Sequence, residues 1–135
     1  MSWTIDRTRG EDLDLDQVLA VYRDSGLGER RPVEDRQRMA EMVRHANLVV
    51  VARDDGDGKL IGIARSVSDF SYVTYLSDIA VIRAHQCSGV GRALIDATRK
   101  EAPSAKIVLL SAPAARDYYP HIGFTAHDSA WVLNP

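Results

Sequence analysis

The segment of this chain best suited to chemistry is Gln86-Cys87-Ser88-Gly89-Val90-Gly91, which joins a strand-like run to a helix-like run. The first amides of a helix have no internal partner, and the helix dipole adds partial positive charge at the same end. Glycine lets the backbone approach a ligand closely and adopt turn angles closed to other residues. Such a turn suits a phosphate group, and Arg92 can add a charge-assisted contact. Two glycines two apart also suit a plain strand-to-helix turn. The loop lacks the Gly-Lys-Ser/Thr ending of a Walker loop and the third glycine of the dinucleotide fingerprint.

Other reactive residue types are sparse. One cysteine, Cys87, excludes an internal disulfide and a cysteine metal site. The histidines His45, His85, His121 and His127 are scattered without metal-ligand spacing, so no metal is expected, and they read as surface or rim residues. Net charge is -2 and no block of like charge is long, which speaks against nucleic acid as a partner. The longest apolar runs, such as Leu48 to Ala52, fall far short of the ~20 residues that span a membrane, and no signal segment opens the chain. A cytoplasmic protein is expected.

With 135 residues, of which 45% are hydrophobic and 27% charged, the chain reads as one domain over 1–135. Trp3 to Arg7 alternates as a short strand. Leu15, Val18, Leu19 and Tyr22 recur at helical spacing, with Asp12 or Asp14 as cap and Gly26 and Gly28 as breakers. Pro32 suits the first turn of a second helix carrying Met39, Met42 and Val43. Leu48 to Ala52, Leu60 to Ser68 and Tyr72 to Ile82 read as a meander, turned at 54–58 and 68–71. A helix over about Gly89 to Glu101 turns Val90, Leu94, Ile95, Thr98 and Ala102 inward. Lys106 to Leu110 is a short strand, Ala114 to His121 a short helix, and Thr125 to Leu133 a closing strand. The order β-α-α-β-β-β-α-β-α-β predicts an α+β domain, a mixed, mostly antiparallel sheet with helices on both faces.

At this point the chain resembles the GNAT superfamily of N-acetyltransferases. Asp78-Ile79-Ala80-Val81 followed by Gln86-x-x-Gly89-x-Gly91-Arg92 resembles that family's motif A, and Tyr118-Tyr119-Pro120-His121-Ile122-Gly123-Phe124 resembles its motif B. The resemblance implies acetyl-CoA as co-substrate and a primary amine of a small molecule as acceptor. It implies that backbone groups of Ile79 and Val81 pair with the pantetheine arm, and that Gln86, Cys87, Ser88, Gly89, Val90, Gly91 and Arg92 hold the pyrophosphate. It places Tyr119 near the thioester sulfur and, by analogy with other members, implies a homodimer. Cys87 stands where glycine is frequent, Arg83 where proline is frequent, and Ala112 where many members carry asparagine.

Acetyl transfer needs a neutral amine, an oxyanion stabiliser and a proton for the leaving thiolate. Amides along Ile79, Ala80 and Val81 are candidates to polarise the thioester. A thiol has a pKa of about 8.5 and a tyrosine about 10, so Tyr119 stays protonated and can act as general acid. The family often carries a base at the positions of Tyr75 or Ser77, and neither residue is one. Strand alternation groups Tyr75, Ser77 and Ile79 on one face and Leu76, Asp78 and Ala80 on the other, so Asp78 is expected to pair structurally while water relays the proton. Tyr22, Asp69 and Tyr72, with Tyr75 and Ser77, are the candidates to line the acceptor pocket; a core aromatic or a turn residue is the plainer reading of each. Two other functions fit the same loop: a non-catalytic acyl-CoA-binding module, and a transferase acting on a protein or aminoacyl-tRNA amine.

Overall fold

The computed structural model describes residues 2–135. Its frame is one sheet in the order β1-β2-β3-β4-β5. β1 (Trp3–Thr8), β2 (Leu48–Asp54), β3 (Leu60–Ser68) and β4 (Val73–Val81) pair antiparallel in sequence, and β5 (Lys106–Val108) lies parallel to β4. Helices α1 (Leu15–Ser25) and α2 (Arg36–His45) cover one face, and α3 (Val90–Glu101) covers the other. This is the mixed α+β architecture expected from the alternation of periods.

The meander buries both faces, which explains its continuous apolar runs. Val49 and Val51 of β2 pack under α1 and α2, whereas Leu48, Val50 and Ala52 pack under α3. α1 is capped by Asp14, whose carboxylate accepts from the Asp16 amide, and ends at Gly26 in the left-handed region (φ 91°). α2 starts at Arg36 rather than at Pro32, because Asp35 supplies the cap by accepting from the Arg38 amide. α3 settles closely on β3 at Gly62, where an added Cβ would sit 3.1 Å from Leu94 Cδ1.

The C-terminal third departs further from expectation. β5 stops at Val108, and the expected helix over 114–121 splits into a 3-10 turn at Pro113–Ala115 and one helical turn, α4 (Tyr118–His121). Among the described residues, 125–133 forms no strand. Its apolar side chains Trp131 and Leu133 are 93% and 98% exposed, and a strand without a partner edge has neither ladder bonds nor burial to hold it.

Strand alternation also fails at one place in β4. Arg65 faces Asp78, but Ser66 faces Leu76, so Ser77 is an extra, bulged residue. The bulge swaps faces: Leu76 joins Ile79 and Val81 on the α3 side, and Asp78 lies on the α1–α2 side. The grouping of Tyr75 and Ser77 with Ile79 therefore does not hold.

Candidate functional site

β4 is paired with β3 from Thr74 to Val81, but with β5 only through Val73, Thr74 and Tyr75. Beyond Tyr75 the two parallel strands separate. In a strand the backbone groups of alternate residues point to opposite edges. The Ile82 amide donates to Ile61 O on β3, so the groups of Val81 and Ile79 face the separated edge. Among the described residues no strand takes them up there. The Gln86 side chain turns back into this gap and donates from Nε2 to Val81 O at 2.9 Å.

The glycine loop lies at the open end of the gap. Gly89 stands at φ 92° as the N-terminal residue before α3, and no side chain caps the helix. Cys87 also lies in the left-handed region (φ 64°), which few non-glycine residues adopt. The Ser88 hydroxyl donates to His85 O and fixes the start of the turn. Cβ atoms added at Gly89 and Gly91 would meet nothing closer than 3.9 Å, so the first turn of α3 presents bare backbone. Uncapped amides, open space and an unpaired strand edge together fit an elongated anion with an amide-bearing arm. Val90, Leu94 and Ile95 anchor α3 in the core beneath, while Arg92 is exposed at its start.

Motif B meets the same region, with an unexpected division of labour. Tyr119 is half-buried, with ring centroids 5.4 Å from both Tyr118 and Phe124 in edge-on geometry, and it packs against the α3 cluster. Burial first, and the neighbouring Tyr118 second, push its hydroxyl above the ordinary tyrosine value. Tyr118 is 41% exposed, and its hydroxyl, with Val81 Cγ2, would lie 3.9 Å from a Cβ placed on Gly91. Motif B contains Tyr118 as its leading aromatic, but the sequence reading gave the site role to Tyr119 alone.

The other side of β4 carries a buried charge network. Asp78 has no side-chain exposure and accepts from Tyr22 Oη, Arg31 Nε and Arg65 Nε, each at 2.6 Å. Arg65 also donates to Ser77 Oγ at 2.8 Å, and Arg31 donates to Ser77 O at 2.8 Å. Burial pushes the Asp78 carboxyl up, but the hydrogen bond and charge of Arg65, with bonds from Tyr22 and Arg31, hold it below the usual carboxylate range. Asp78 thus pairs structurally, as expected. Tyr22 is fully buried, its hydroxyl pushed up by burial and then by Asp78, so it braces the sheet rather than opening to a pocket.

Of the remaining acceptor candidates, Asp69 organises the turn between β3 and β4. Its Oδ1 accepts from the Ser71, Tyr72 and Val73 amides, and bonds from Tyr72 first, then Ser71 and Val73, hold its carboxyl low. Tyr72 is exposed under the Lys106 ammonium, 4.3 Å from the ring centroid. Tyr75 is 39% exposed and Ser77 is enclosed by the two arginines. His85 is buried rather than on the surface, because Ile82 O and Ser88 hold its backbone in the turn while its ring lies 4.0 Å from Asp54. Among the described residues no helix is long and apolar enough to cross a membrane.

A strand parts from its parallel neighbour beside an uncapped, glycine-led helix, and this pair of features is the candidate site. The GNAT acetyltransferase domain model matches residues 18–134, so the chain belongs to the GNAT family and is an acyltransferase. Solved structures agree on the fold. A GNAT-family acetyltransferase from Streptococcus pneumoniae is 20% identical, with a TM-score of 0.76 over 99% of this chain and 100% of that one. A GNAT-family protein from Xanthomonas campestris is 22% identical, with a TM-score of 0.74 over 100% and 94%. An aminoglycoside acetyltransferase from an uncultured soil metagenomic sample is 20% identical, with a TM-score of 0.69 over 98% and 95%. No curated protein matches the chain in sequence.

Proposed function

We propose that this acyltransferase moves an acetyl group from acetyl-CoA to the primary amine of a small molecule by direct attack. The observation that carries the reading is the edge of β4 from Leu76 to Val81, which β5 leaves free and only the Gln86 side chain meets at Val81 O, running into the bare first turn of α3. Amides from Cys87 to Arg92 are suited to the pyrophosphate, and the edge groups of Ile79 and Val81 to the amide-bearing arm. Bound acetyl-CoA supplies an activated thioester. The protein's contribution is to hold that thioester at the closed end of the gap, near Tyr75 and the Ser77 bulge, with amides of the strand aimed at the carbonyl oxygen.

Proton handling falls to tyrosine and water. Tyr119 keeps its proton at neutral pH and can donate to the departing thiolate, since its hydroxyl is raised rather than lowered. Tyr118 is a second reading for that donor, favoured by the position of its hydroxyl beside Gly91. Asp78 is buried and already accepts from Tyr22, Arg31, Arg65 and Ser77, which argues for proton loss from the amine to solvent. A cytoplasmic location fits a lone free cysteine on the surface of the loop.

The test is ligand-dependent melting with a paired activity assay. Acetyl-CoA at 100 times its dissociation constant should add about 2.7 kcal/mol of stability, with NAD and ATP adding far less. Free thiol should appear only when acetyl-CoA and an amine are both present. Equal stabilisation by all three nucleotides would contradict the reading.

A further inference from the structure

On the α1–α2 face of the sheet, one row of side chains is apolar and uncovered. Val67, Tyr75 and Val108 lie directly opposite one another across β3, β4 and β5, and they are 50%, 39% and 42% exposed. Their chain neighbours Ser66, Ser68, Thr74 and Leu76 are buried, so the row stands out from the sheet on one side. Leu110, two residues past Val108, is also exposed at 49%. The row crosses β4 at Tyr75, the last residue paired to β5 and thus the closed end of the gap.

Asp69 and the Asp78 network are charges near this row. Asp69 spends Oδ1 on three backbone amides, and Asp78 is sealed by Tyr22, Arg31 and Arg65. The Asp78 network holds two guanidiniums against one carboxylate, so this flank of the row is net positive. A polycationic acceptor such as a polyamine or an aminoglycoside would meet like charge at the Asp78 network and find that carboxylate already bonded. An apolar body would cover exposed Val67, Tyr75 and Val108, which is favourable.

We infer that the row Val67–Tyr75–Val108 is the acceptor wall and that the acceptor is an amine with a single cationic head on an aromatic or alkyl body. The inference rests on the acetyl-transfer reading above. In the attacking pose the apolar body lies along the row and the amino group points past Tyr75 into the gap. Deprotonated by solvent, the nitrogen attacks the thioester carbon, the carbon–sulfur bond breaks, and the thiolate takes a proton from the tyrosine.

The experiment compares kcat/KM for phenethylamine, spermidine and kanamycin by thiol release, in the wild type and in Val67→Asp and Tyr75→Ala, with the acetyl-CoA melting shift measured for each protein. The wild type should prefer phenethylamine over spermidine and kanamycin by tenfold or more. Tyr75→Ala should lower kcat/KM for phenethylamine by about tenfold, the scale of one lost apolar contact, and Val67→Asp should narrow the gap to spermidine. Both variants should keep the acetyl-CoA shift. Faster acetylation of spermidine or kanamycin with that shift intact overturns the substrate class and leaves acetyl transfer standing. A shift without thiol release from any amine overturns the amine acceptor and leaves the cofactor site standing. No shift and no turnover overturns both readings. A wild-type dimer that Val67→Asp converts to monomer, with the amine preference unchanged, assigns the row to a second copy of the chain and overturns the inference.

Discussion

At Thr74 and Tyr75, strand β4 is held by strands on both edges; from Leu76 to Val81 it is held by a strand on one. Apolar residues occur in both stretches, and the stretches differ in what surrounds them. The first is locked by β5 and by the Asp69 turn, whose carboxylate gathers three successive amides. The second is stiffened from behind, where Asp78, Arg65, Arg31 and Tyr22 tie the Ser77 bulge to α1 and to the segment before α2. An edge left open for a ligand must not collapse or pair with another strand, and here the rigidity comes from the opposite face. The lesson is that the charge network belongs to the scaffold, which leaves the open edge for the proposed site.

The sharpest break of that division is at Gly91. Gly91→Asp has room in the fold, since an added Cβ meets nothing nearer than 3.9 Å. It places negative charge where the pyrophosphate should sit, and acetyl-CoA binding should fall below detection by calorimetry while the melting temperature of the free protein changes little. Retained affinity would remove the loop from the site.

Asp78→Asn attacks the other side. It leaves the Arg65 guanidinium largely buried without its counter-charge, and the expected loss is about 3–5 kcal/mol in denaturant unfolding. The same network sets a pH dependence. Because the folded Asp78 carboxyl is held below its unfolded value of about 3.9, its stabilisation is full above that pH and is lost as pH falls through the lower folded value. Wild type should therefore lose stability below about pH 4 more steeply than Asp78→Asn. Parallel acid-unfolding curves would contradict the role.

Tyr119→Phe should lower the maximal rate about 10²-fold and leave acetyl-CoA affinity nearly intact. Tyr118→Phe should change the rate little if Tyr119 is the donor. The reverse pattern in steady-state kinetics would transfer the role to Tyr118, whose hydroxyl lies nearer the loop.

These contrasts also mark what the sequence could tell. The meander, α1 and α3 were legible because their apolar spacing repeats over several turns and their contacts lie on continuous faces. The loop and motif B stood out through glycines and aromatics at set distances. The Ser77 bulge was not legible, since one extra residue in a ladder is a property of two strands in register. That single shift displaced the face assignment of Tyr75 and Ser77. The burial of Tyr22 and His85 likewise depends on partners 56 and 31 residues away in sequence, Asp78 and Asp54. The segment 125–133 was expected to close the sheet, and among the described residues it forms no strand and leaves Trp131 and Leu133 exposed.

The central claim is that the open half of β4 and the first turn of α3 receive acetyl-CoA while the closed half does not. Backbone amide NMR during an acetyl-CoA titration tests it residue by residue. The account expects saturable shifts at Ile79, Val81, Gly89, Gly91 and Arg92, with Val73 and Thr74 nearly unmoved. Shifts confined to Val73 and Thr74, or spread over β1 and α2 with the glycine loop silent, would contradict it.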